Sequence, residues 1–179
     1  MTEGALETGE LAAGLALRHP TPADHVRIRV ALADWWGGLG GEAGARQRQS
    51  LVPRLFLQHF ADTSFLVERA DGTLHAFLIG FLSQSDPDTA YIHFVGVCPD
   101  GTRSGVGSAL YRRFFALAQE AGRRRIRCIT SPNNRNSIAY HTRMGFRLEP
   151  GDYVDEAGTP VHRDYDGSGL DRVLFVREL

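Results

Sequence analysis

Along the chain, short apolar runs alternate with stretches that carry a helical repeat. Residues 15–18 read as a first strand. Pro20 and Pro22 lead into a helix over residues 23–36, with Val26, Val30 and Ala33 at helical spacing. Residues 37–44 hold five glycines, at 37, 38, 40, 41 and 44, and read as a flexible loop before a second helix over 51–60. A strand over 64–69, the hairpin signal Asp71-Gly72, and a near-continuous apolar strand over 74–82 follow. Asp86-Pro87-Asp88 turns the chain into a strand over 90–98, closed by Pro99. In residues 105–121, Val106, Leu110, Phe114, Leu117 and Ala121 recur at steps of three and four, which predicts a helix with one buried face. Gly122 stops it. A short strand over 126–130 precedes a helix opened by Pro132-Asn133-Asn134 that runs to about Met144. A strand over 146–154, a loop-rich stretch over 155–169 and a final strand over 172–176 complete the order β-α-α-β-β-β-α-β-α-β-β. That alternation predicts an α/β layered domain with a mixed sheet. Residues 1–14, small, polar or acidic, are expected to form a flexible tail on a single domain over 15–179.

Composition narrows the function classes. The 179 residues are 42% hydrophobic and include ten phenylalanines, enough for a real core. A net charge of −1 argues against a general nucleic-acid binder. Cys98 and Cys128 are the two cysteines, too few for a disulfide framework or a zinc site, and no metal is expected. No apolar run reaches membrane-spanning length, and the acids Glu3, Glu7 and Glu10 precede residues 11–17, where a secretory signal would carry positive charge. A soluble, cytoplasmic protein is expected. All 20 basic residues counted as Lys or Arg are arginines. The absent lysine excludes a P-loop, a protein kinase and a Schiff-base enzyme.

The most informative segment is Val97-Cys98-Pro99-Asp100-Gly101-Thr102-Arg103-Ser104-Gly105-Val106-Gly107-Ser108. A strand ends at a proline, and a glycine-bearing turn feeds a long helix. The first turn of a helix has unpaired N–H groups and a partial positive charge, and Gly105 and Gly107 let a ligand approach the backbone. This is a ready site for a pyrophosphate. The plainer reading is that the glycines only allow a tight turn. A dinucleotide fingerprint fails, because Leu110 stands at its third glycine and arginines stand where its acid belongs.

A second segment, Asn134-Arg135-Asn136-Ser137-Ile138-Ala139-Tyr140-His141-Thr142-Arg143-Met144-Gly145-Phe146, follows about 30 residues later, with a helix and a strand between. The two segments together resemble the GCN5-related N-acetyltransferases. Val97, Pro99, Gly105 and Gly107 match that family's V-x-P-x-x-(Q/R)-x-x-G-x-(G/A) motif, with Thr102 in place of Gln or Arg and Arg103 beside it. Asn134, Ser137, Gly145 and Phe146 match its N-x-x-(A/S)-x-x-x-Y-x-x-x-G-F segment. The resemblance implies a mixed, mostly antiparallel sheet flanked by helices, covering about residues 15–179.

It also implies an acetyl-CoA-dependent N-acetyltransferase acting by direct attack of an amine. Backbone amides of Thr102, Arg103, Ser104, Gly105, Val106, Gly107 and Ser108 would hold the cofactor's pyrophosphate. Backbone groups of Val95, Gly96 and Val97 would line the pantetheine and carry the oxyanion, with a bulge as the plainer reading of Gly96. Asn134, a candidate helix N-cap, would also bond the pantetheine arm, with Ser137 beside it. The family tyrosine, which protonates the departing thiolate, falls on His141, with Tyr140 as the competing ring. His93 is the first general-base candidate, Glu68 and Asp62 are poorer ones, and a water chain could serve instead. Nothing in the sequence pairs Cys98 with a histidine and an acid, so a covalent route is not favoured. Trp35 and Trp36 fit a pocket wall and a core equally well. The run Arg123-Arg124-Arg125-x-Arg127 reads as a solvated face. The expected partners are acetyl-CoA and an amine acceptor, expected to be a small molecule, and a homodimer is compatible with the reading. A non-catalytic acyl-CoA sensor and a macromolecular acceptor are the alternatives.

Overall fold

The structure, a computed structural model, describes residues 11–36, 38 and 40–179. Most of the tail expected over residues 1–14, and Gly37 and Leu39 of the expected loop, lie outside the described residues. The strands are β1 Leu15–Arg18, β2 Phe65–Arg69, β3 Leu74–Leu82, β4 Thr89–Val97, β5 Arg125–Thr130, β6 Arg147–Leu148, β7 Tyr153–Val154, β8 Pro160–Val161 and β9 Val173–Glu178. The helices are α1 His25–Asp34, α2 Gly41–Ser50, α3 Leu55–His59, α4 Val106–Glu120 and α5 Arg135–Arg143. One seven-stranded sheet has the order β1-β2-β3-β4-β5-β9-β6, and β7 and β8 pair separately. β1–β2, β2–β3, β5–β9 and β6–β9 are antiparallel, while β4–β5 is parallel. The α/β class and the mostly antiparallel sheet agree with the sequence reading.

The chain forms two compact units, the first from the described part of Met1–Phe81 with Phe94–Leu117, the second from Leu82–His93 with Ala118–Leu179. In the first unit, β3 is buried from Leu74 to Gly80, which explains its unbroken apolar run. Its core gathers Ile28, Leu32, Leu57, Leu66, Phe77 and Ile79, with Trp35, Trp36 and Phe94 packed against it. The buried face of α1 is Ile28, Ala31 and Leu32, while Val26 and Val30, expected inside, are 68% and 55% exposed. Both sets have helical spacing, so periodicity did not choose between them. On α4, Val106, Leu110 and Phe114 are buried as expected and Leu117 is half-buried, while Ala121, just past the end of the helix, is exposed.

Helix α2 occupies part of the expected glycine loop. It buries no residue, so no apolar repeat announced it. Its side chains tie it to α1: Arg48 Nε donates to the Leu32 carbonyl at 3.0 Å and Gln49 Nε2 to the Arg29 carbonyl at 3.1 Å.

An ion network locks the entry to α1. Asp24, 3% exposed, accepts from Arg18 at 2.7 and 2.8 Å, from Arg27 at 3.0 Å and from the Thr21 amide at 2.7 Å. Glu68 accepts from Arg18 at 2.8 and 3.0 Å and from Arg27. This occupies Glu68, a candidate base, in structure. Although burial opposes it, the Arg18 guanidinium and the Thr21 groups hold the Asp24 carboxyl well below the usual carboxylate range, and Arg18 and Arg27 lower Glu68. Because both folded values are depressed, the stabilisation is complete above an ordinary carboxylate pKa of about 4 and is lost as pH falls below it. Asp24→Asn is expected to cost about 2 kcal/mol at pH 7, discounted because both arginines are about a third exposed. Urea melts at pH 7 and pH 3 check this, since the gap to wild type should shrink at pH 3.

In the second unit, the strand expected over residues 146–154 is broken. β6 pairs with β9, but Gly151 then lies too close to the Val161 backbone to carry a Cβ, and the chain turns into the β7–β8 pair. The arginine run is matched by acids: Arg124 meets Asp88 at 3.8 Å, Arg125 meets Asp86 at 3.6 Å and Arg127 meets Glu149 at 3.2 Å. Arg123 donates to the Pro87 carbonyl.

Candidate active site

In the first unit, β4 ends in Phe94–Val97 and passes through a 3-10 turn at Pro99–Gly101 into α4. The turn is tied to itself. Gly101 N donates to the Cys98 carbonyl at 2.9 Å, Thr102 Oγ1 to the Pro99 carbonyl at 2.8 Å and Ser104 Oγ to the Gly101 carbonyl at 2.7 Å. Arg103 and Gly105 both adopt positive φ, 74° and 85°. For arginine this is a strained conformation, and it sits on exposed backbone from Thr102 to Gly105. A Cβ at Gly105 would meet nothing within 4 Å, so its glycine answers to backbone conformation and leaves the surface open. A bond from Ala109 N to the Gly105 carbonyl at 3.0 Å opens the helix, with Val106, Gly107 and Ser108 in its first turn. Within the turn Thr102 N and Ser104 N donate to the Pro99 and Gly101 carbonyls at 3.3 and 3.2 Å, and Val106 N to Ser104 Oγ at 3.4 Å. The amides of Arg103, Gly105 and Gly107, with the helix dipole, are the ones that fit a pyrophosphate.

Gly96 has a different reason. A Cβ there would stand 2.5 Å from Phe77 Cε1 and 2.7 Å from its Cζ. Phe77 is fully buried and stacks on Phe94 with ring centres 6.0 Å apart. Gly96 is therefore required by packing within β3 and β4; the half-buried Val95 and Val97 flank it. Gly96→Ala is expected to cost about 1–3 kcal/mol, and Phe77→Leu in the same chain should restore part of it in a thermal melt. Trp35 and Trp36 pack on the same rings, at 5.8 Å from Phe77 and 5.7 Å from Phe94. This favours the core reading of the two tryptophans.

In the second unit, Asn134 caps α5, its Oδ1 accepting from Ser137 N at 3.2 Å. One turn on, His141 is 7% exposed. Its ring stacks on Phe175 at 4.8 Å and meets Phe146 edge-on at 5.4 Å. Nδ1 lies 2.7 Å from the Ser137 carbonyl and 3.2 Å from Ser137 Oγ. A carbonyl only accepts, so Nδ1 carries the hydrogen and Nε2 is the lone-pair nitrogen of the neutral ring. Burial pushes the imidazole below its usual value, against a smaller opposing pull from the Ser137 carbonyl. His141 therefore rests neutral at pH 7. Tyr140 is half-buried, with the Arg143 guanidinium 5.7 Å from its ring centre. His93 is half-buried on β4.

The sequence reading missed His75. Cys98 Sγ lies 3.1 Å from His75 Nδ1, both side chains buried on the first unit. Folding the strands over 74–82 and 90–98 about Asp86-Pro87 would have put positions 75 and 98 opposite each other, as the bond from Cys98 N to the His75 carbonyl at 2.9 Å confirms.

Comparison with known proteins agrees with this arrangement. The model of the acetyltransferase (GNAT) family matches residues 29–146, more than half of the chain and both motif segments. A GNAT-family protein from Desulfovibrio desulfuricans superimposes with a TM-score of 0.70 at 20% identity, over 92% of this chain and 98% of that one. The diaminobutyrate acetyltransferase EctA of Paenibacillus lautus, solved with L-2,4-diaminobutyric acid and coenzyme A, gives a TM-score of 0.61 at 24% identity over 90% of this chain and 93% of that one. In sequence, an L-2,4-diaminobutyric acid acetyltransferase of Nocardia farcinica is 32% identical over 85 residues, 48% of this chain. That match spans 44% of the relative, less than half its length. With the strand–turn–helix, the capped α5 and the sheet order in place, the chain belongs to the GNAT acetyltransferase family.

Proposed function

We propose that the chain, as a single domain over residues 15–179 in the cytoplasm, transfers the acetyl group of acetyl-CoA directly to the amine of a small molecule. The observation that carries the reading is the exposed turn at 102–105, with two positive-φ residues, leading into the first turn of α4 within the family's matched region. Within the turn from Thr102 to Ser108, the backbone amides of Arg103, Gly105 and Gly107 hold the pyrophosphate, in a chain with no lysine to do so. Asn134 and Ser137 belong to the binding of the pantetheine arm, and a backbone N–H of residues 95–97 steadies the carbonyl oxygen.

Acetyl-CoA supplies an activated acyl carbon. The chain's own contribution is orientation and proton movement. His141 starts neutral with Nδ1–H held by the Ser137 carbonyl. Its Nε2 takes the proton released by the attacking nitrogen and returns it to the departing sulfur. The ring is thus base first and acid second, so no separate acid is consumed. Tyr140 and His93 are the competing proton carriers.

The relatives support one class of acceptor. The proteins named for L-2,4-diaminobutyric acid point to a small amine bearing a carboxylate. A panel of diamino acids, polyamines, monoamines and N-terminal peptides, read by CoA-thiol release, tests this. The diamino acids should show the highest kcat/KM, and a preference for peptides would overturn the small-molecule assignment.

A further inference from the structure

Outside the residues given a role above, the first unit holds a thiol with unusual neighbours. Cys98 Sγ lies 3.1 Å from His75 Nδ1 and 3.5 Å from Arg69 Nη2. Arg69 is in turn 3.7 Å from the exposed Asp100 carboxylate. The space is tight, since a Cβ at Gly101 would stand 2.7 Å from His75 Cε1 and 3.1 Å from the Cys98 sulfur. Cys98 is 5% exposed and His75 6%, but Pro99 and Asp100, directly after the thiol, are exposed.

We propose that Cys98 is a peroxide-reactive thiol, with His75 as its base and Arg69 as the cation that holds the thiolate. A neutral His75 accepts the S–H proton on Nδ1, leaving a thiolate between an imidazolium and a guanidinium. Burial and the Arg69 charge keep the His75 imidazole below its usual value, so it rests neutral; the imidazolium formed in this step is held against them by the adjacent thiolate and by the Asp100 carboxylate. The thiolate attacks one oxygen of a hydroperoxide. The S–O bond forms with two electrons from sulfur, the O–O bond breaks, and the departing hydroxide or alkoxide takes the proton from His75. The products are the Cys98 sulfenic acid and water, or an alcohol, and His75 is neutral again. The tight surroundings select a small oxidant over a bulky disulfide. An electropositive setting is what separates reactive thiols from inert buried ones. Cys128 supplies the contrast in the same chain: it is buried on β5, and burial alone pushes its thiol up.

This assignment does not depend on acetyl transfer, and its test uses none. The reduced full-length protein is treated with hydrogen peroxide, and sulfenic acid is trapped with a cyclic 1,3-diketone and located by peptide mass spectrometry. Cys98 is expected to be trapped at least about tenfold faster than Cys128, and Cys98→Ser should remove that label. His75→Phe, which keeps a ring in the tight space, and Arg69→Gln should each slow trapping at Cys98 severalfold, with circular dichroism confirming the fold. Trapping at Cys98 as slow as at Cys128 would overturn the proposal. So would an unchanged Cys98 rate in the two folded variants.

Discussion

Gly107→Phe is expected to weaken acetyl-CoA binding by at least about a hundredfold, about 2.7 kcal/mol, while the protein stays folded. Gly107 lies in the first turn of α4, ahead of the bond from Ala109 N to the Gly105 carbonyl. Its amide belongs to the set that would face a pyrophosphate, and an aromatic side chain there would stand where the phosphates approach. The helix itself does not need glycine at this point, since glycine is the poorer helix former by about 1 kcal/mol relative to alanine. A folded variant that binds poorly thus separates a ligand effect from a folding effect. Isothermal titration and a thermal melt on the same sample read the two. Unchanged affinity in a folded Gly107→Phe protein would mean that the amides of this turn are not the cradle.

The second large effect concerns His141. His141→Phe is expected to lower kcat by about a hundredfold or more, the usual scale for a lost proton-transfer group. Phenylalanine keeps the stacking on Phe175, so stability should change little by comparison. The pH dependence carries the sign. Burial lowers the His141 pKa below its usual value, so the neutral form, the one able to take a proton from the amine, predominates at pH 7 and is lost as pH falls through the lowered pKa. The wild-type rate should rise with pH on its acid limb and stay level above neutrality once amine ionisation is accounted for. That limb should vanish in His141→Phe. A rate that falls between pH 6 and 8 would mean that the imidazolium is the starting form. Loss of kcat in Tyr140→Phe with an unaffected His141→Phe would move the role to Tyr140.

Much of this was readable in the sequence because it is local. The strand-proline-glycine-helix run and the Asn134 to Phe146 segment hold their residues within a few turns of chain. The Asn134 cap and the buried Val106, Leu110 and Phe114 followed from spacing alone. What was not readable depends on contacts distant in sequence. Helix α2 has no apolar face and is held by hydrogen bonds to α1 carbonyls. Val26 and Val30 share the periodicity of the true buried face of α1, and only the partner surface decides between them. The reason for Gly96 lies in Phe77, and the partner of Cys98 is His75, both across a strand pair. The resting charge of His141 is set by Phe175 and Phe146 around it and by the Ser137 carbonyl, so the family resemblance pointed to the position but not to its protonation state.

The most direct measurement is CoA-thiol release from acetyl-CoA by the purified protein, with and without L-2,4-diaminobutyrate, alongside the wider amine panel. Release that requires an amine, with one acetylated amine formed per thiol, is the expected result. Tight acetyl-CoA binding with no turnover on any amine, or no acetyl-CoA binding at all, would contradict the assignment of this chain as an N-acetyltransferase.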